Sequence, residues 1–138
     1  MKLLVLLAVL FSVSASAEPY CAKDFGSFLV FFQGDEKFQI THTTFPLRYS
    51  YVDAAANPEP KTVSIEIISQ DDALIAKLPR YPAAETIKPV SLQETIFMEK
   101  GEVYVVRFTK PDTDYMFDFR FMKYNNCWQL VEVNNYSL

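Results

Sequence analysis

Any chemistry in this chain has to be built from few parts. It holds one imidazole, His42, and two cysteines, Cys21 and Cys127. Near the C-terminus Met116, Asp118, Arg120 and Met122 alternate with Phe117, Phe119 and Phe121. Alternate side chains of a strand share a face, so the phenylalanines define one buried aromatic face. The other face carries Asp118 and Arg120 between the two methionines. That arrangement reads either as a cross-strand ion pair on a solvated face or as polar groups set among apolar walls to orient a ligand. Met116, Asp118, Arg120 and Met122 are therefore the candidate binding residues. No Ser–His–Asp order, HExxH helix or phosphate loop is readable. Only three glycines stand in the chain, which leaves little for a nucleotide-cradling loop. No cofactor or metal is expected. A lone histidine such as His42 reads first as a helix-end residue.

The cysteines must be judged with the address of the chain. Residues 1–17 have the build of a signal peptide: Lys2, an apolar run from Leu3 to Val13, then Ala15-Ser16-Ala17 as the cleavage pattern. That run is too short to span a bilayer stably. Glu18, Pro19 and Tyr20 before Cys21 do not suit a lipoprotein signal. The expected product is a single periplasmic or secreted domain, residues 18–138, without a membrane span. In an oxidising compartment the two remaining cysteines are expected to pair, Cys21 with Cys127.

Without Lys2 the mature chain has 12 basic and 17 acidic residues, a net charge of −5. A mildly acidic chain with no basic run argues against nucleic acid as a partner. Its 121 residues suffice for one domain that buries about two thirds of its unfolded surface. Aromatic residues are 15% of the whole chain, which supports an aromatic core.

The elements that would position these residues are read from period and turn chemistry. Asp24 can cap a helix in which Phe25, Phe28, Leu29 and Phe32 form one apolar stripe. Gly34 suits its C-terminus, Asp35 caps a second short helix reaching His42, and Phe45-Pro46 ends that stretch. Strands are expected over Leu47–Val52 and Lys61–Ser69. A short helix follows, capped by Asp71 or Asp72 and running to Leu78, then an extended connection from Arg80 to Pro89. The last third reads as a meander: Glu94–Met98, Val103–Phe108, Tyr115–Tyr124 and Cys127–Val133. Its separators are Lys100-Gly101, the Lys110–Asp114 turn and Asn125-Asn126. The fold class is α+β, with N-terminal helices on a curved, mainly antiparallel sheet.

The closing strand Cys127-Trp128-Gln129-Leu130-Val131-Glu132-Val133 follows a tight turn. With the early Phe-rich helix, it resembles the nuclear transport factor 2-like superfamily. Phe38-Gln39 with Phe45-Pro46-Leu47 is similar to exported bacterial members. The resemblance implies a cone-shaped fold with a pocket between the sheet and the N-terminal helices. It also implies that, in an enzyme of this kind, an acid–base pair stands there. Here that pair would be His42 with Asp118, Tyr115 or Glu94.

Two functional readings follow. The leading one is an exported, non-catalytic binding module whose partner is another protein or a small apolar ligand. Within that class stands an immunity or inhibitor protein that neutralises a toxin or hydrolase. A homodimer is left open. The rival is a small isomerase- or hydratase-like enzyme using the pocket. Convergence of His42, Asp118 and Tyr115 would favour the enzyme, and dispersal the binder.

Overall fold

The computed structural model describes residues 20–69 and 92–138. The expected signal peptide, the helix expected to end at Leu78 and the connection expected to end at Pro89 lie outside them. Two helices, α1 (Phe25–Gly34) and α2 (Glu36–Thr41), precede six strands. These are β1 (Thr43–Asp53), β2 (Lys61–Ile67), β3 (Gln93–Glu99), β4 (Val103–Thr109), β5 (Met116–Tyr124) and β6 (Cys127–Asn135). They form one sheet in the order β2-β1-β6-β5-β4-β3.

Helix α1 starts where its cap allows. The Asp24 carboxylate accepts from the Ser27 N–H at 2.9 Å and the Ser27 hydroxyl at 2.8 Å. These bonds hold the Asp24 carboxyl below the usual carboxylate range. The expected stripe of Phe25, Phe28, Leu29 and Phe32 is buried in full. The link to α2 is tighter than its Gly34 suggests. Gly34 is the last residue of α1 and needs no left-handed backbone. Asp35 closes the helix instead, donating its N–H to the Phe31 carbonyl at 3.1 Å. Its carboxylate then accepts from Lys37 and Phe38 N–H groups at 2.8 and 3.1 Å, so one residue serves both helices.

The C-terminal meander forms as its turns dictate. Asn125 and Asn126 both take positive φ, 47° and 64°, the geometry of a two-residue primed turn. Gly101 at φ 82° is joined by Glu102 at 58°, which widens the β3–β4 connection beyond the Lys100-Gly101 pair. Strand β1 is longer than expected: it begins at Thr43, before Pro46, and includes it. Proline cannot donate to a ladder. The register with β6 shifts between Thr43 and Arg48, across that proline. The β1–β6 pairing is the one parallel pairing in the described sheet, placing the first strand beside the last.

Helices and sheet meet through rings. Phe25 stacks on Tyr104 at 4.2 Å between centroids. Phe28 and Phe32 meet Phe121 edge-on at 5.6 and 5.0 Å. Leu47, Ile67, Val106, Phe108, Phe117, Phe119, Leu130 and Val133 complete this core.

Cys21 and Cys127 are joined, with Cα atoms 4.8 Å apart and a sequence separation of 106. Closing a loop of this length stabilises the fold by roughly 4–5 kcal/mol in the chain-entropy picture. Denatured, unreduced protein should therefore bind no thiol reagent. Two reactive thiols per chain would show the bond absent from the protein in solution.

Candidate binding surface

The register of the ladders decides which side chains meet on the sheet face directed away from α1 and α2. Asp118 on β5 lies opposite Arg107 on β4 and Asn134 on β6, and Asn134 lies opposite Ser50 on β1. Beside this row runs another: Arg48, Glu132, Arg120, Val105 and Phe97, across β1, β6, β5, β4 and β3. Two rows rich in polar groups thus cross the strands side by side.

The shorter residues sink beneath the longer. Asp118 is only 1% exposed, and Ser50 and Asn134 are buried as well. A buried carboxylate must be paired. The Arg107 Nε and Nη2 groups donate to the two Asp118 oxygens at 2.6 and 2.7 Å, a fork-to-fork pair. The Arg107 guanidinium also lies 5.3 Å from the Phe97 ring centre, a cation–π contact that holds its plane. The Asp118 bond is the main reason Arg107 is pushed above its already high range.

In the second row Arg120 donates through both terminal nitrogens to Glu99, and its Nε stands 3.9 Å from Glu132. Glu132 accepts from Asn134 at 2.9 Å and from Arg48 at 3.4 Å. Ser50 and Ser64 share a hydroxyl bond at 2.8 Å. Tyr136 lies near the same groups. Partial burial pushes its phenol up, and the Asp118 charge adds to that, while Arg107 and Arg120 oppose it. The phenol therefore stays a hydrogen-bond donor across the physiological range, and each of the carboxylates Asp118, Glu99 and Glu132 is matched by an arginine. The arrangement is suited to holding a partner by polar and stacking contacts.

The sequence-derived candidates fall on three different parts of this fold. Met116, Asp118, Arg120 and Met122 share a face as expected, but it is the face away from the helices. They therefore do not line a space between helices and sheet, where Phe25, Phe28, Phe32 and Phe121 are packed together. The ion pair of Asp118 is with Arg107, and that of Arg120 with Glu99. Tyr115 projects to the helix side, its ring 4.9 Å from that of Phe117, and burial pushes its phenol up. His42 caps α2 and is 2% exposed. Its ring stacks on Phe38 at 3.8 Å, with Nδ1 3.0 Å from the Phe38 carbonyl and Nε2 3.2 Å from the Tyr20 carbonyl. Among the described residues, no hydrogen bond or ion pair joins His42, Asp118 and Tyr115 to one another.

Glu94 stands apart from all of them. It lies on the helix side of β3, opposite Phe108, and accepts from the Gln33 amide at 2.5 Å. Loss of hydration raises its pKa, partly offset by the Gln33 bond. A carboxyl raised on folding favours the folded state at acid pH, and that advantage is lost as pH rises through the folded value. Glu94→Gln should therefore flatten the decline in stability above the ordinary carboxylate range. Urea midpoints measured at pH 4 and pH 7 for both proteins check this. An unchanged slope would mean that Glu94 is fully hydrated in the folded protein.

Sequence pattern does not single out Arg107, Glu99, Glu132 or Tyr136. Arg107 and Glu132 stand at alternating positions within apolar strands, which is a usable signal. Glu99 and Tyr136 give none, because only strand pairing brings them to Arg120 and Asp118. Among the described residues no group of three or more His, Cys, Asp or Glu side chains could hold a metal ion. No described helix is long and apolar enough to cross a membrane.

Helices leading into a sheet whose last four strands form a meander, with the first strand parallel to the last, define the architecture. This chain has the nuclear transport factor 2-like fold. It is similar to the crystal structure of an NTF2-like protein from Bacteroides fragilis NCTC 9343, with a TM-score of 0.56 and 16% sequence identity. That similarity covers 83% of this chain and 47% of the other, so the chain spans about half the length of that protein. No protein-family model matches the chain, and no curated protein matches it.

Proposed function

We propose that this protein is an exported binding module that engages another protein through the face of its sheet directed away from α1 and α2. The carrying observation is the sheet face that holds Asp118, where Arg107, Arg120, Tyr136, Met116, Met122 and Phe97 stand half-buried or exposed beside buried, satisfied polar groups. Arginine, tyrosine and methionine are the residue types that protein interfaces favour. Methionine adapts its shape to a partner, and a pre-paired arginine loses little freedom on binding. Dispersal of His42, Asp118 and Tyr115 supports a binder over an acid–base enzyme. The bond between Cys21 and Cys127 is consistent with an oxidising compartment. Within this reading an immunity or inhibitor protein directed at a toxin or hydrolase fits the small size and the acidic charge. Many such targets are cationic, and opposite charge speeds encounter.

The test is capture of a partner from periplasmic extract or culture fluid on immobilised protein. Binding is then compared for Tyr136→Ala, Met122→Ala and His42→Ala. The first two should weaken binding about tenfold or more, as truncation of interface anchors does. His42→Ala should leave the affinity of the folded fraction unchanged. Association should slow as salt is raised. Full binding by Tyr136→Ala and Met122→Ala together would place the interface elsewhere. A turnover abolished by His42→Ala or Asp118→Asn in folded protein would replace the binder by an enzyme.

A further inference from the structure

Strand β3 stands at one end of the described sheet, beside β4. Its pairing with β4 runs from Gln93 to Glu99 without a bulge. Gln93, Glu94, Thr95, Ile96 and Met98 are exposed, Ile96 at 45% and Met98 at 61%, while Val105, Val106 and Phe108 of β4 are at 0%. Edge strands are normally guarded by proline, lysine, a bulge or a charge, because an open row of N–H and C=O groups invites another strand. The segment from Gln93 to Glu99 contains no proline and no lysine. Its two charges are both drawn back onto the chain's own fold. Glu94 accepts from Gln33 of α1 at 2.5 Å, and Glu99 accepts from both terminal nitrogens of Arg120 on β5. The other end of the described sheet differs, since β2 opens with an exposed Lys61.

We propose that β3 pairs antiparallel with β3 of a second copy of this chain, about a two-fold axis at Ile96. The strand's own sequence selects this occupant. A two-fold axis between antiparallel strands stands perpendicular to the sheet, so opposed residues share a face and the axis falls on a residue. With the axis at Ile96 all seven residues of the strand are paired. Ile96 meets its own copy, Thr95 meets Phe97, Glu94 meets Met98 and Gln93 meets Glu99. No two carboxylates are opposed, and the Gln93 amide can donate to Glu99. The centre joins β-branched and aromatic side chains, the kinds that stabilise cross-strand pairs. Moving the axis one residue either way pairs fewer residues of the strand.

Main-chain bonds between the two edges supply the affinity, and the alternate side chains Ile96 and Met98 supply the specificity. One strand pairing buries little area, so the dimer is reversible and lies at the weak end of specific interfaces. Because the axis is perpendicular to the sheet, both copies turn the same face the same way. The faces that hold Asp118 then lie side by side on one surface, and the helices on the other. A partner with two matching surfaces is held at both, which strengthens binding without any new contact.

Sedimentation velocity of the purified protein, from low to high micromolar concentration, measures the dimer. The protein should pass from monomer to dimer across this range. Ile96→Lys sets two like charges against each other at the axis and should weaken the dimer at least about tenfold, with the strand signal in circular dichroism unchanged. Thr62→Lys, at an exposed position of β2, is the control and should leave the dimer as it is. Hydrogen exchange of the unaltered protein gives a second readout. The β3 amides directed away from β4 should exchange more slowly as concentration rises, at least about tenfold when the dimer is filled. Should Ile96→Lys lose its strand signal, this exchange measurement decides alone. A monomer throughout the range overturns the proposal. So does a dimer that Ile96→Lys leaves intact, or one that forms without protecting β3.

Discussion

Phe28→Ala should lower stability by about 3–5 kcal/mol, the cost of a large cavity left by a buried ring. Phe28 is 1% exposed and sits at the centre of the helix–sheet contact. Its ring meets those of Phe25, Phe32, Phe38, His42 and Phe121, all between 5.4 and 5.8 Å. The lining is shared by α1, α2 and β5, so no single side chain can swing in to fill the void. Rigid cavities of this kind cost most, because collapse would disturb several elements at once. Urea unfolding followed by circular dichroism measures the change. A loss below about 1 kcal/mol would mean that the helical layer can repack freely over the sheet, against the close packing expected of a native core. Val30→Ala, at a 69% exposed position of the same helix, is the control and should change little.

Arg107→Ala should be the most damaging change on the sheet face directed away from α1 and α2. It leaves the Asp118 carboxylate buried with its two strong donors gone. Breaking a buried pair from one side costs about 3–5 kcal/mol, and the lower end applies here because 35% of the Arg107 side chain is already in water. Replacing both partners, Arg107→Met with Asp118→Leu, should recover most of the loss. A pair of apolar side chains needs no hydration, and the position lies between Asn134 and Thr95 in the ladder rows. The double-mutant cycle isolates the coupling. If Arg107→Ala proves no worse than the double replacement, Asp118 must find other donors once Arg107 is gone. Both variants also bear on function, since the double replacement removes the polar centre of the proposed interface while keeping the sheet.

The two changes differ in how far they can be anticipated. The Phe28 result rests on a stripe that helical geometry alone makes visible: residues 25, 28, 29 and 32 share a side of any α-helix. The same holds for the capping of α1 by Asp24, for the Asn125-Asn126 turn and for the alternation of Phe117, Phe119 and Phe121. Each depends on neighbours a few residues away, so the local rules of chain geometry suffice. The pairing of Cys21 with Cys127 is legible for another reason: the sequence holds no other cysteine to choose.

The Arg107 result rests on something no local rule contains. Asp118 and Arg120 stand on one strand, two residues apart, and their spacing suggests a common site. Strand pairing separates their partners, giving Arg107 to Asp118 and Glu99 with Glu132 to Arg120. Register is set by which strands lie side by side and where the bulge between Arg120 and Phe121 falls, and both are properties of the assembled sheet. The same holds for the parallel placement of β1 beside β6, which carries Arg48 to Glu132 from 84 residues away. His42 shows the point from the other side. Its position at the end of α2 can be read from the sequence. Its burial between Phe28, Phe38 and the Tyr20 carbonyl exists only because the disulfide and the core fold the chain's first described residues back onto α2.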